Sequence, residues 1–576
     1  MRNRLLILLF LLHCGAFAQS NMQDTISKKM QQQFKHLRSE TENTYKYGAY
    51  EGATIRHIYI TVLSPMGTNI NDTSVKAKGF IRDVVNNTHP NSNQHIVRNY
   101  LLYKEGKPLK KIEIEESERL LRRSLRVRDA KTVIKPAGEG MVDVYVIVQD
   151  LISITINTSA FDTVKSYGIT FNNIAGYNQS FANEVNYSEK DKQHYSYNGI
   201  YTWPNMFGSF FNGSLYFSTP SGVSQNGVSI SKSFYSPLTS WNAGAEYFDY
   251  TKDVISYYSG DSTSTARIKY NTEDVWAGKA FNVKTKYKVY RDRLKIFTSA
   301  RVIQTNYTSR NKQIPVFNQD DYKTNTFYLA DVGVSYRSYY KEKYLFKFGN
   351  NEDIPEGVMI AYIPGYRHIE GARDLLYSAV EARQGKFYPK IGYLSFDAGF
   401  GTFFNSSKAQ QGILSFGITH ITKKWNIRKF GIRHYALLKA KQGFNRQPDE
   451  QIYLSTEDGL YNLTTHELSG ISKLSLSLNT VVYTPYKLLG FNLAVFVYAG
   501  FATITPNSIN LKNTIYQAFG AGIMVRNDHL IINNIRLSFT YYPNLPVPVG
   551  KFNPYWFYAI SLPEFIMDKP EALNYD

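Results

Sequence analysis

Between about residue 150 and residue 565 the chain repeats one pattern. Short runs alternate apolar with small polar residues, carry many Tyr and Phe, and are separated by polar turns. Leu474, Leu476 and Leu478 alternate with Ser475, Ser477 and Asn479. Phe211, Leu215 and Phe217 alternate with Asn212, Ser214 and Ser218, and Ala330, Val332 and Val334 with Asp331, Gly333 and Ser335. A strand turns successive side chains to opposite faces, so every run has an oily and a wet face. Roughly 400 residues of such runs predict an all-β membrane barrel of antiparallel strands, up to about 20 of them, with lipid outside and water inside. A large soluble β-sandwich or propeller array also alternates, but it brings a blade-length repeat that this chain does not show.

The start of the chain fits export. Arg2 and Arg4 precede the short apolar core Leu5–Leu12, and Ala16-Phe17-Ala18 forms a small-x-small cleavage site, so residues 1–18 read as a secretory signal peptide. Cys14 is the only cysteine, and His13 before it does not suit lipidation. A mature chain without cysteine has no disulfide and no thiolate metal site. No later segment has 18 consecutive apolar residues, so no helix is expected to span a bilayer. The mean hydropathy of −0.34 suits strands of which one face alone is oily. The 46 Tyr and 35 Phe would supply aromatic belts at the two membrane interfaces. The formal charge of +19 has no compact Lys/Arg run of nucleic-acid type, and is read as contact with anionic lipid headgroups or as solvated loops.

Residues 19–53 are polar and read as a linker. From residue 54 to 150 the pattern is that of a small α/β domain: a strand over Ile55–Leu63, a helix near Phe80–Asn87, and a second helix over about Lys110–Leu125. The second helix has Ile114, Leu121 and Leu125 on one face. Its glutamates come early and its arginines late, in the order that complements the helix dipole. Strands over Arg128–Ile134 and Val142–Val148 close the unit. This β-α-α-β-β order, the run Leu101–Leu109, Glu116–Arg122 and the ending Val148-Gln149-Asp150 resemble a POTRA domain.

Several later segments resemble the BamA/TamA superfamily of outer-membrane assembly and translocation proteins. They include Asn173-Ile174-Ala175-Gly176 with Gln179, Trp203-Pro204-Asn205-Met206-Phe207-Gly208-Ser209, Ser231–Trp241, Val275–Phe281, Glu352–Gly357, Gly522–Asn527 and Tyr541-Tyr542-Pro543. The resemblance covers about residues 55–565. It implies a barrel over 151–565, a tail over 566–576, an outer-membrane location in a Gram-negative bacterium and a periplasmic POTRA-like domain. It also implies 16 strands, whereas up to about 20 segments read as candidates, the excess lying between residues 265 and 425.

The superfamily's hallmark is an Arg-Gly-aromatic motif in a loop that folds into the barrel, with acidic partners on the inner wall. Alignment on the flanks puts that loop at Leu454–Gly470, and Tyr461, Asn462 and Leu463 stand at the motif positions. Asn479 and Ala499 stand where the acids would be, so all the charges are replaced together. A rival placement is Gly365–Gly371, which holds Arg367 in a different order; Arg367 also reads as an ordinary strand-end charge. The first barrel strand, with Ile152 and Ile154, is expected to close on a last strand over Tyr555–Phe565. Trp556, Tyr558 and the terminal aromatic Phe565 mark that strand, an end resembling the insertion signal of outer-membrane barrels.

No catalytic motif is present, and no enzyme activity, metal or cofactor is expected. Gly399-Phe400-Gly401 reads as thin, bendable strand rather than a phosphate cradle. Two functions follow. The first is insertion, assembly or translocation of outer-membrane or surface proteins, with lipid, unfolded or nascent outer-membrane proteins and accessory periplasmic or lipoprotein subunits as partners. The second is a non-inserting scaffold, receptor or pore.

Overall fold

The computed structural model describes residues 47–575, apart from 69, 72–79, 124–126, 162–163, 190–193, 220–223, 258–262, 286–291, 310–321, 347, 407, 448–449, 461–462, 464–467, 489–490, 507–513, 528–534, 546–551 and 556–561. The expected signal peptide, most of the linker, Tyr461, Asn462, Trp556 and Tyr558 therefore lie outside the described residues. The chain forms two compact units. Of the described residues, the first takes those up to Thr155 together with Phe171–Gln179, and the second takes the rest.

The core of the first unit is a small α/β domain. Strand β1 (Thr54–Leu63) is followed by helices α1 (Phe80–Thr88), α2 (Gln94–Arg98) and α3 (Lys111–Arg123), then by β2 (Val127–Pro136) and β3 (Met141–Asp150). The sheet order is β1-β3-β2, with β1 parallel and β2 antiparallel to β3. Alternation on β3 sends Val142, Val144, Val146 and Val148 to one face, where they pack with Ile58, Ile60, Ile114 and Leu121. Each such side chain, once buried, contributes roughly 1.5–3 kcal/mol. The Arg56 guanidinium grips Asp143 and holds its carboxyl below the usual range.

The second unit is built on one closed antiparallel sheet. Its strands are β4 (Ile154–Phe161), β5 (Val164–Ile174), β6 (Gln179–Ser188), β7 (Tyr195–Met206), β8 (Phe211–Ser218), β9 (Ser224–Lys232), β10 (Trp241–Tyr257), β11 (Thr263–Asn282), β12 (Leu294–Ser309) and β13 (Asn325–Glu342). They continue as β14 (Glu352–Ile369), β15 (Leu375–Tyr388), β16 (Gly392–Asn405), β17 (Lys408–Ile421), the short β18 (Trp425–Ile427) and β19 (Phe430–Phe444). The paired fragments β20 (Ile452–Tyr453) and β21 (Ser469–Gly470) come next, outside the barrel sheet. Then follow β22 (Ser472–Leu488), β23 (Phe491–Thr505), β24 (Tyr516–Arg526), β25 (Ile535–Tyr541) and β26 (Phe552–Tyr555). Each strand pairs with its sequence neighbour, β17 also pairs with β19, and β26 closes on β4. Without the three-residue β18 hairpin arm, twenty strands among the described residues form the wall. Every segment between 265 and 425 that the sixteen-strand expectation left in doubt is wall or the β18 arm.

The wall's two faces obey the sequence alternation. On β13 the outer row reads Tyr328, Ala330, Val332, Val334, Tyr336 and the inner row Leu329, Asp331, Gly333, Ser335, Arg337. Val332 pairs with Tyr362 and Val334 with Ile360, all four exposed on the outer surface. Aromatic residues flank an aliphatic centre, as a lipid-facing band requires. We expect Val332→Arg to cost about 2–4 kcal/mol if it lies near the membrane midplane. Loss of the heat-modifiable gel band checks this, and a variant that folds like the wild type would place Val332 away from lipid.

Turns at the end where β4 starts, here the near end, use left-handed backbone. Asn173, Ala175, Gly176 and Asn178 have φ of 51, 49, 80 and 59°, and Asn205, Phe207 and Gly208 have φ of 48, 53 and 74°. Asn and Gly adopt this region at least cost. The Asn205 side chain accepts from Phe210 N–H at 2.7 Å, so the turn is tied by its own residue.

Candidate functional site

Inside the barrel three segments lie against the wall. The first is the chain between β19 and β22. Ile452 pairs with Gly470 and Tyr453 with Ser469, forming a narrow two-stranded stem. At its tip Ser455 caps a short 3-10 turn, Thr456–Asp458, in a reciprocal capping box with Asp458. Gly459 then takes φ 82°. Its backbone lies so close to β23 that a Cβ on Gly500 would overlap the Gly459 carbonyl oxygen. Leu454, Leu460, Leu463 and Leu468 pack with Ala502, Ala518 and Tyr542.

A buried ion pair fastens this loop, beside the more exposed pair of Glu457 with Lys439 at 3.7 Å. Lys473 Nζ donates to Asp458 Oδ2 at 3.0 Å and to Tyr453 O at 3.1 Å. Ser455 N–H donates to the same Asp458 oxygen at 2.9 Å, and Ser475 Oγ approaches Oδ1 at 3.4 Å. The Asp458 side chain is 2% exposed and that of Lys473 12%. Sequence reasoning missed this pair, although two signals pointed to it. Lys473 is the charge in the otherwise neutral inner row Ser475, Ser477, Asn479, and Ser455-x-x-Asp458 is a capping-box spacing.

The proposed motif positions divide. Leu463 is buried in the leucine cluster. Asn479 is buried on the inner row of β22, opposite Tyr498. Ala499 does not fit the role of its lumenal partner. It pairs with Leu478 and shares the outer row with Val495 and Val497, while Tyr498 and Gly500 face inward. A strand's period of two makes a one-residue offset a change of face. The rival Arg367 lies on β14, where Nε donates to Asn325 at 3.1 Å. That is the ordinary strand-end role.

The second segment joins β13 to β14 at the near end. Arg433, fully buried on β19, donates to Lys343 O at 3.3 Å and lies 3.7 Å from Glu342. Tyr435 and Tyr483 donate to Leu345 O and Tyr344 O at 2.6 and 3.0 Å. Glu352 accepts from Leu345 N–H at 2.8 Å and Phe346 N–H at 2.9 Å.

The third segment corrects an expectation. Residues Leu562–Tyr575 form neither strand nor helix. Phe565 does not end the last strand facing lipid; it is 1% exposed, packed with Met359, Ala361 and Ile363 of the inner wall. Its carbonyl accepts from Ser335 Oγ at 2.5 Å, and its ring lies over Gly357 and Gly385. These glycines leave the room that draws the aromatic inward. From there the chain climbs through the lumen to the far end, where Tyr575 reaches Gly443 and Ile471.

At the closure, Ile154 is exposed on the outer face of β4, Ile152 is half-buried just before the strand, and β25 holds β26 through Ser538–Tyr541. In the first unit, Asp150 at the end of β3 gathers a separate polar knot. It accepts from Ser92 N–H at 2.6 Å and Ser92 Oγ at 2.9 Å, and His89 Nε2 lies 3.3 Å away. His89 Nδ1 contacts Ser153 Oγ at 2.7 Å, and Asn173 donates to Ser92 Oγ at 3.1 Å. The histidine and the aspartate are sealed from solvent, so this Asp–His–Ser arrangement meets no substrate; it is a structural tie. Among the described residues no group of three or more His, Cys, Asp or Glu could hold a metal ion.

No family model and no curated protein matches the chain. Among solved structures it is similar to BamA from Haemophilus ducreyi lacking POTRA domains 1–3, at 10% identity and TM-score 0.37, over 88% of this chain and 83% of that one. It is also similar to CdiB from Acinetobacter baumannii, at 11% identity and TM-score 0.38, over 87% of this chain and 72% of that one. CdiB from Escherichia coli is similar at 11% identity and TM-score 0.36, over 88% and 76%. Likeness at this level carries no functional information about this chain.

Proposed function

We propose that the chain is an outer-membrane protein of the BamA/TamA kind, a non-enzymatic barrel behind a periplasmic POTRA-like domain that inserts, assembles or translocates other outer-membrane or surface proteins. The observation that carries this reading is the loop from Leu454 to Gly470. The resemblance in the turns calls for an inward-folded loop at this point of the chain, and Gly459 here rests on the inner wall at Ser477 and Gly500. Substrates would be unfolded or nascent outer-membrane proteins, with lipid around the barrel and accessory periplasmic or lipoprotein subunits as partners.

The edges of the domain's sheet bear on how a substrate strand would add to it, a mode that reads backbone rather than sequence. The β2 edge is covered: Thr132 N–H goes to Glu118 at 2.6 Å, and Ala130 O receives Arg122 at 2.9 Å. The first half of β1 is covered by residues 105–109, through Gly106 N–H to Ile55 O at 2.8 Å and Glu105 to Ile58 N–H at 2.8 Å. Past Ile58, among the described residues, no such cover lies on β1, and Ile60 and Val62 repeat its outward backbone orientation. That stretch is the site we assign to strand addition.

Purified full-length chain in liposomes should speed folding of an unfolded barrel substrate several-fold over empty liposomes. Equal rates would reject the reading. They would leave the scaffold or receptor alternative, which the three lumen-filling segments favour over an open pore.

A further inference from the structure

We infer that the inner wall of β10–β19 is a binding track for an extended polypeptide, and that residues 562–575 are its resident, displaceable occupant. The track would take a segment with an aromatic residue followed four positions later by a lysine. This holds whether the barrel inserts proteins or serves as a scaffold.

The wall recognises the backbone of the segment at successive points. Arg383 donates to Glu564 O at 3.2 Å, Ser335 to Phe565 O at 2.5 Å and Arg301 to Pro570 O at 3.0 Å. Tyr377 accepts from Leu573 N–H at 2.8 Å, and Lys441 donates to Tyr575 O at 3.2 Å. These five side chains come from four wall strands: β15, which contributes at both its ends, β13, β12 and β19. Bonds to backbone groups read an extended chain of almost any sequence.

Two seats add side-chain preference. A Cβ on Gly357 or Gly385 would come within 2.9 or 2.6 Å of the Phe565 ring, as well as against Tyr336 O or Tyr393 Oη of the wall, so glycine at both positions leaves the room in which the aromatic sits. Lys569 is the cation seat's occupant. Its Nζ lies 3.4 Å from Glu246, 3.2 Å from Asp274 and 4.3 Å from the centre of the Trp276 ring. Farther on, Gly399 and Gly401 make room for Leu573, at 3.1 and 3.2 Å from a built Cβ. That is a use for the Gly-Phe-Gly run that bending alone does not explain. A tether to β26 gives it an effective concentration on the order of millimolar, enough to exclude a free peptide of moderate affinity.

The probe is a fluorescent synthetic peptide of residues 562–576, and the readout is anisotropy with full-length refolded protein. Lys569→Glu repels the tail from Glu246 and Asp274, and Phe565→Asp empties the aromatic seat; both leave the wall intact. Peptide should bind either variant at least roughly tenfold more tightly than it binds the wild type, whose seat is filled. Adding Gly385→Val to the Lys569→Glu chain should abolish that gain. Folding of each variant is checked by the heat-modifiable gel band. Equal binding to wild type and tail variants would overturn the proposal. So would absence of binding to both folded tail variants, or binding that survives Gly385→Val.

Discussion

Lys473→Met is expected to unseat the loop that folds into the barrel. Asp458 is almost sealed from solvent and Lys473 is nearly so. Removing the ammonium leaves a buried carboxylate without its cation, which costs about 3–5 kcal/mol where one partner of a buried pair is lost. The two bonds from Ser455 and the approach of Ser475 soften this without replacing the charge. Asp458→Asn should cost less, because the amide oxygen still caps the 3-10 turn. The double variant should recover at least half of the loss caused by Lys473→Met alone, since two neutral groups need no counter-charge. Thermal unfolding in detergent and protease cleavage within 454–470 are the measurements. A Lys473→Met chain as stable and as resistant as the wild type would show that the pair does not hold the loop.

This pair also changes the meaning of the missing motif. The resemblance implies a cation on the loop and acids on the wall; here the loop brings the acid and the wall the cation. Neutral residues at Asn479 and at the motif position Leu463 are consistent with this, because the charge contact lies nearer the stem. Ala499 contributes nothing to it, facing outward. The physical requirement is a loop charge neutralised where it is buried, and either polarity satisfies it.

The wall was legible in the sequence because its period is short. Val332, Val334, Leu474 and Leu478 face outward in the structure as their alternation with polar neighbours requires. The near-end turns were legible because Asn and Gly are the residues that left-handed backbone selects, as at Asn173, Gly176 and Gly208. The contents of the lumen were not. Phe565 reads as the end of a strand because an aromatic after alternating residues looks the same whether it meets lipid or a pair of inner-wall glycines. Only the approach of Gly357 and Gly385, far away in sequence, decides between them. For Asp458 and Lys473 the capping-box spacing and the lone inner-row charge were visible, but joining a loop acid to a wall base needs the placement of the loop against β22. A family alignment carried across a strand adds an error of its own: a one-residue offset moved Ala499 to the wrong face.

The second large effect is expected at Asp150→Ala in the first unit. Asp150 is fully buried and holds three groups that have no water to turn to: Ser92 N–H, Ser92 Oγ and the His89 ring. Each donor left unsatisfied costs about 1–3 kcal/mol, so the loss should reach roughly 3 kcal/mol or more. Ser92 also receives Asn173, so its displacement should release the 171–179 turn, where Asn93 N–H donates to Gly176 O at 2.9 Å and Asn178 reaches Tyr100 at 2.7 Å. Gly176 cannot adapt by gaining a side chain, because a Cβ there would sit 2.5 Å from Asn91 O. Asp150→Asn keeps one acceptor and should lose less than half as much. His89→Gln, which keeps a polar group near Ser153, should be milder than Asp150→Ala. Hydrogen exchange of residues 90–100 and 171–179, read on the full-length protein, separates the local effect from loss of the barrel. Faster exchange in both segments with an unchanged barrel band is the expected result, and unchanged exchange in Asp150→Ala would show that the knot does not tie this unit together.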